Sequence, residues 1–558
     1  MSSFTRPNNL ALLTHFLQTV SDARTSRNAP LLASLLSADP FYILQNDLML
    51  SLRSELSSNP TALQSRTDKI LGDEWMGFTE LVAAYLKYVL ALDPAVLYDT
   101  GTSRTWHGCL KTYMGAINPA FNSPQGVVLV PLVKGTAALL TSAALRIDAQ
   151  IGDPRFGCSH AAMNVLLRTF NSTLGERTLA SGAPTMQTLG KKAATLRIAN
   201  LLFKLYFKLN QIRLCATIHT NINAASIPSY LHLYPKSDRC AYTYYLGRHH
   251  FFNAHFTTAL STLTTSYNLT RPTDTTQRRL LLLYMVTSAL ILGKFPSATL
   301  LARPEARGLA HMFYPVCRAI RLGDFRGFRH ALGDEGPDTW RRQWWVRREL
   351  YIALRNRCQI LLWRGLIRRT WLITRPPVLS AAQVAEGVKA APPTVGMWQI
   401  LVLVRFLHRV PGEAQGQGQG GNPLFLGAEE EDTDDDDADG GEEEEDGEGR
   451  DEGGYFGLKV NMVDVESAIV SLCDQGFIKG YIARQATGPL IVLGRSGAFP
   501  AVAEIYNSSR WKAEGDESGS EEGAGAGGGG VNPFAAMAAG GGRVVNLSGA
   551  RAVGQRAF

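Results

Sequence analysis

What this sequence lacks narrows it first. None of its seven cysteines (Cys109, Cys158, Cys215, Cys240, Cys317, Cys358, Cys473) belongs to a CxxC pair. An odd, scattered set argues against a disulfide framework or a zinc site and for a reducing compartment. The N-terminus, Met1 to Asn9, is polar and has no apolar core, so no signal peptide is expected. The best membrane candidate, Gly126 to Leu145, is interrupted by Pro131, Lys134, Thr136, Thr141 and Ser142 and reads as a buried core helix. A soluble, intracellular chain without a membrane partner is the expectation.

Catalytic constellations are also missing. The glycine run Gly416 to Gly421 is Gln-Gly low complexity with no preceding strand, unlike a phosphate-binding loop. His249, His250 and His255 have no acidic or cysteine partner at metal spacing and read as structural. Cys158-Ser159-His160 are adjacent, which is not catalytic geometry. Neither an enzyme nor a cofactor is expected.

What is present is a strong charge asymmetry. The 558 residues carry +7 overall, but Glu429 to Glu452 holds 17 acids and one Arg, a local −16, which leaves +23 on the remainder. So basic a body suggests an acidic partner, nucleic acid or protein. The acidic tract could fold back onto that body or serve as a solvated spacer.

Along the chain, residues 1–125 read as an N-terminal helical region, clearest at Leu10 to Val20 and Trp75 to Leu92. Residues 126–338 read as a succession of amphipathic helices with almost no strand pattern. Ala193 to Cys215 is the most regular, with Arg197, Asn200, Lys204, Lys208 and Gln211 on one stripe, either a solvated face or a contact. Gly247 is followed by Ala259 after twelve residues and by Leu263 four further on, the small-residue spacing of a tetratricopeptide-type hairpin. Leu292-Gly293 and Leu322-Gly323 repeat the punctuation. From Arg341 to Arg375 ten arginines surround one acid, Glu349, with tryptophans interleaved. That pattern suits nucleic acid, an acidic protein, or helices whose tryptophans are core. Thr394 is placed to cap a helix running to Leu407.

The most informative stretch is Asp464 to Pro500. Val465, Ala468, Ile469 and Leu472 mark one helical face, and Gly476 stops the helix. Phe477 to Ile482 and Leu490 to Leu493 follow as a hairpin around Gln485 to Pro489. Helix plus hairpin is the second half of a winged helix. The module is expected over 339–410 and 455–502, split by a disordered Gly/Gln and acidic insertion at 411–454 and followed by a disordered Gly/Ala tail at 503–558. The fold class expected is mainly α, a tetratricopeptide-like helical-hairpin solenoid capped by a C-terminal winged helix.

That plan resembles the PCI domain, and the wording goes further. Asn200-Leu201-Leu202-Phe203-Lys204-Leu205-Tyr206-Phe207-Lys208-Leu209-Asn210, Tyr244-Tyr245-Leu246-Gly247-Arg248, Leu292-Gly293-Lys294-Phe295-Pro296, and Gly476-Phe477-Ile478-Lys479-Gly480-Tyr481-Ile482 with Phe499-Pro500 resemble the PCI-domain-containing protein two family. That branch includes the yeast mRNA-export subunit of the second transcription-and-export complex and a signalosome-associated paralogue. The likeness covers about 190–376 and 394–500. It departs from the family in the acidic insertion and in the tail.

The resemblance implies a non-enzymatic scaffold in the nucleus, with the cytoplasm as a second location. The partners it implies are a larger PCI export scaffold, a small acidic proteasome-lid-associated clamp protein, and RNA or double-stranded DNA on a basic platform of paired winged helices. The COP-nine signalosome is the alternative setting, with protein contacts only. Within the matched region, Lys479, Arg484 and Arg495 on the hairpin and Arg364, Arg368, Arg369 and Arg405 on the preceding helices are the expected nucleic-acid contacts. Ile478, Tyr481, Ile491, Lys204 and Lys208 are the expected partner contacts.

Overall fold

The computed structural model describes residues 11–507 apart from 47–48, 52, 55–61, 73, 93–99, 176–187, 335–338, 376–392, 409–459 and 486–487. The acidic insertion and the expected Gly/Ala tail from 508 onward lie outside the described residues. Chain packing makes Met1–Ser508 one unit, to which everything below refers.

Helices α1 (Ala11–Thr25), α2 (Ala29–Leu35), α3 (Pro40–Gln45), α4 (Ala62–Leu71), α5 (Met76–Ala91) and α6 (Thr100–Asn122) build the N-terminal part. Asn28 and Asp39 cap α2 and α3 by accepting from the amides of Leu31 and Phe41, each with a proline in the first turn. The orphan carbonyls just past α2 are met by tyrosines: Tyr113, Tyr85 and Tyr88 donate to Leu36, Ser37 and Ala38 at 2.8, 3.2 and 2.6 Å. The three rings pack together at 5.6 Å between centroids, so a polar tip and an apolar body are both used.

Next come α7 (Val130–Ile151) and α8 (Gly157–Leu174). Pro124–Ile151 is long and apolar enough to cross a membrane, but 56% of its apolar window is buried in the fold, as a core helix requires. The buried carboxylate of Asp148 accepts from the amides of Cys158 and Ser159 at 3.1 and 2.7 Å and thereby holds the start of α8.

The stretch read as one helix over 193–215 is two, α9 (Thr195–Lys208) and α10 (Leu214–Ala224), with Asn210 left-handed (φ 56°) between them. The repeats continue through α11 (Lys236–Phe252), α12 (Phe256–Leu269), α13 (Thr275–Ile291), α14 (Ala298–Leu301), α15 (Leu309–Leu322), α16 (Phe325–Leu332), α17 (Thr339–Val346), α18 (Tyr351–Arg357) and α19 (Gln359–Thr374). The small-residue spacing does what it predicts. A Cβ on Gly247 would come within 2.6 Å of Leu263, so glycine alone allows α11 and α12 their approach. At the next corner Gly323 (φ +68°) meets Gly365, and a Cβ on Gly323 would come within 2.2 Å of the Leu366 amide nitrogen. That contact seats α19 on the end of α15.

The C-terminal module is β1 (Thr394–Gly396), α20 (Met397–His408), α21 (Met462–Asp474), β2 (Gly480–Gln485), β3 (Gly488–Leu493) and α22 (Val502–Asn507). Asn461 and Asp464 form a capping box at the start of α21, and Gly476 ends it at φ +80°. The hairpin is present, shifted from the expected boundaries by a few residues. β1 completes an antiparallel sheet of order β1-β3-β2, with Val395 opposite Ile491 and Ile491 opposite Ile482. Thr394 is therefore a strand residue rather than a helix cap. The module also runs past the expected end at 502. Ile505 is buried, Tyr506 packs on Phe477, and a Cβ on Gly293 would strike Val502 at 2.5 Å, so α22 locks the wing to the repeats.

Candidate nucleic-acid and partner interface

Lys479 just before β2, Arg484 on β2 and Arg495 in the turn after β3 are all exposed. Lys479 is fixed through its backbone, its amide donating to Ala498 and its carbonyl accepting from Gly494, each at 2.8 Å. Arg484 pairs with Glu466 of α21 at 3.1 Å but stays 79% exposed. On α19, Arg368 and Arg369 are exposed. On α20, Arg405 is exposed and its Nε donates to Val460 O at 3.0 Å.

Arg364 differs from these. Its Nε donates to Phe477 O at 3.3 Å and its Nη2 to Pro500 O at 2.7 Å. Burial lowers its pKa and the neighbouring charge of Arg368 lowers it further. The guanidinium is committed to tying α19 to both ends of the hairpin segment, which removes it from the list of free cations.

Two expected partner contacts are also corrected. Ile478 is 1% exposed and Ile491 0%: Ile491 sits on the central strand β3 between β1 and β2, and Ile478 lies against the end of α21, its amide donating to Leu472 O at 3.2 Å. Tyr481 is 64% exposed on β2. Lys204 and Lys208 are exposed on α9, with Lys208 Nζ lying 5.7 Å from the centre of the Phe156 ring. The polar stripe around them is not uniformly solvated. Asn200 is buried and donates to Asp238 O at 2.8 Å, and Arg197 lies 3.5 Å from the Asp238 carboxylate.

The sequence reading missed an apolar surface. Trp398, Val402 and Phe406 are 58%, 54% and 67% exposed. Their spacing of four places them on one stripe of α20, opposite the buried Met397, Ile400 and Val404. The signal was there as a helix apolar on two sides, more than one core can absorb.

Arg248 and the histidines of the repeats prove to be packed side chains. Arg248 lies over the rings of Phe207 at 4.2 Å and Tyr284 at 5.1 Å and pairs with Glu349 at 2.7 Å. The histidines form a packed group, with His250 6.3 Å from His219, 5.9 Å from His249 and 6.2 Å from His255 between ring centres. Burial lowers the pKa of His219 and His249 and carries His250 down to about 4. Among the described residues no group of three His, Cys, Asp or Glu side chains could hold a metal. An open groove of about 600 Å³ between α5 and α6 is lined by Ala83, Ala84 and Gly108 beside Glu80, Lys87 and Cys109.

No family model matches the chain. Relatives are nevertheless found. A PCI domain-containing protein of Schizosaccharomyces pombe is 32% identical over 381 residues, covering 65% of this chain and 79% of that protein. A CSN12 homolog of Neurospora crassa is 26% identical over 393 residues, covering 64% and 82%. A CSN12 homolog of Mycosarcoma maydis is 32% identical over 184 residues, which is 33% of this chain and 39% of that relative.

Proposed function

This chain belongs to the PCI-domain protein family, and from that premise we propose that it is a non-enzymatic scaffold subunit of a nuclear mRNA-export, transcription-coupled complex. In this reading it pairs with a larger PCI protein, a small acidic protein clamps the pair, and the winged helix offers RNA or DNA a basic surface. The observation that carries the nucleic-acid part is the exposed set Lys479, Arg484, Arg495 and Arg405 on the C-terminal module with Arg368 and Arg369 on the α19 that packs against it, with Glu466 the one acid paired to any of them among the described residues. The partner part rests on the stripe Trp398, Val402 and Phe406 of α20, with Tyr481 also exposed on β2 of the same module.

Phosphate contacts release counterions, so affinity falls steeply with salt. Glutamate at Lys479, Arg484 and Arg368 weakens binding to all sequences alike. Unchanged affinity in the triple variant refutes the platform. The names of the CSN12 homologs favour a second reading, a signalosome-associated subunit acting through protein contacts alone. Affinity purification from the native organism separates the two. An export scaffold with a small acidic protein supports the first, and signalosome subunits without nucleic acid support the second.

A further inference from the structure

The outer face of α15 carries a stripe that belongs neither to the core nor to the winged helix. Arg307, His311, Tyr314, Arg318 and Arg321 follow one another at spacings of four, three, four and three, which keeps them on one side of the helix and its entry. All are exposed, while Leu309, Met312, Phe313, Val316, Cys317 and Ile320 fill the opposite side. Tyr314 is 67% exposed, and its ring touches no other ring or cation among the described residues. His311 is held edge-on to solvent by Trp340, whose ring lies parallel to it at 6.1 Å, and by Arg341, which donates to its Nε2 at 3.3 Å. Arg321 is propped over Phe295 at 4.4 Å. At the other end the backbone of Arg307 is gripped by Arg279, which donates to Arg307 O at 2.6 Å. Arg348 in turn lies close enough to Arg279 and Arg347 for their charges to add to burial in lowering its pKa.

Negative charge does not offset this run. α15 contains no acid. Glu305, just before it, is buried and neutralised by Arg278 at 3.1 Å. Asp324, just after it, turns back to cap α16 at the Gly327 amide at 2.8 Å.

We propose that this face of α15 is a second nucleic-acid contact, selective for single strands, in which Tyr314 stacks on an unpaired base and Arg307, Arg318 and Arg321 follow the phosphates. An alternation of free aromatic ring and arginine forks is the arrangement that holds single strands without reading sequence, because every base offers a face and every nucleotide a charge. A duplex keeps its base faces covered and engages only the arginines. The proposal rests on the nucleic-acid reading above and adds to it a site and a strand preference.

The test uses the full chain with a labelled oligouridylate of about 12 nucleotides, within the span of common single-strand sites, and a duplex of equal length. Tyr314→Ala lowers affinity for the single strand about tenfold, leaves the duplex unchanged, and Tyr314→Phe restores the wild-type value. Arg318→Gln and Arg321→Gln each reduce the salt slope for the single strand by about 0.7. If wild type binds and the Lys479, Arg484, Arg368 charge reversals weaken binding while these variants do not, the stripe is refuted and the platform stands. If wild type binds neither probe, both fall. If the Tyr314 variant instead loses a co-purifying protein and keeps its affinity for the oligouridylate, the stripe is a protein interface and the proposal is overturned.

Discussion

Replacing Arg364 by glutamine separates two roles that look identical in the sequence. Arg364 and Arg368 stand one helical turn apart in the same arginine-rich segment. Arg364 donates to Phe477 O and Pro500 O, whereas Arg368 is exposed. A hydrogen bond from a charged donor contributes about 1.5–3 kcal/mol, and a buried acceptor left unpaired costs about 1–3 kcal/mol. Arg364 is half-buried, which brings the loss for the two bonds to about 2–4 kcal/mol. That is a large share of the 5–15 kcal/mol typical of a folded domain. Arg368→Gln changes stability by less than about 0.5 kcal/mol. Chemical denaturation followed by tryptophan fluorescence reads the first effect, and an oligonucleotide titration across salt reads the second. Arg364→Gln lowers the denaturation midpoint without changing the salt slope, and Arg368→Gln does the reverse. An Arg364→Gln protein as stable as wild type but weakened toward nucleic acid refutes the structural assignment.

Other outcomes follow from the same geometry. Gly323→Ala destabilises by about 3 kcal/mol or more, from a left-handed backbone and from a Cβ placed 2.2 Å from the Leu366 amide nitrogen, and calorimetry checks it. Phe406→Ser leaves the denaturation midpoint within about 0.5 kcal/mol of wild type, since the side chain is 67% exposed, while it weakens capture of a PCI partner in a pull-down. Acid destabilises the repeats. His219, His249 and His250 are held below the ordinary imidazole value by burial, so the unfolded chain binds more protons, and the stability they contribute is full above about pH 6.5 and lost as pH falls toward 4. A denaturation midpoint that does not fall between pH 7 and pH 5, or a His250→Phe variant with an unaltered pH profile, contradicts that.

Elements with a strong period were legible, and contacts made over long sequence distances were not. The Gly247, Ala259 and Leu263 spacing named a close helix pair because a repeat buries the same face at the same interval. The helix at Val465 to Leu472, its glycine stop and the hairpin after it were readable for the same local reason. β1 escaped because three residues beside an Ala/Pro connector carry too little alternation to signal a strand. That omission had consequences. Without β1 the third strand is missing, and Ile491, expected as a partner contact, is instead buried on the central strand β3, while Ile478 is buried beside α21. Asn200 looked solvated because its partner, the Asp238 carbonyl, lies 38 residues away on another helix. Arg364 looked like any other cation because its acceptors lie 113 and 136 residues further along.

These placements change how the charge of the chain is to be understood. A body carrying +23 outside its acidic tract suggests a broad basic surface, yet several arginines are spent inside it. Arg248 is enclosed by aromatic rings and answered by Glu349, Arg278 neutralises Glu305, and Arg364 holds the wing to α19. Arginine serves there because a planar, delocalised cation can stack and donate in several directions at once where lysine could not. Of the charge that remains outward, part lies on the winged-helix hairpin with α19 and part on the face of α15, while other exposed cations such as Lys204, Lys208, Arg213 and Arg326 stand elsewhere on the described surface. Screening removes interactions beyond about 8–10 Å at ordinary ionic strength, so each place acts on what touches it and not through a general field. On the proposed reading, local substitutions on either face have large effects on binding, while changes in net charge elsewhere on the surface have small ones.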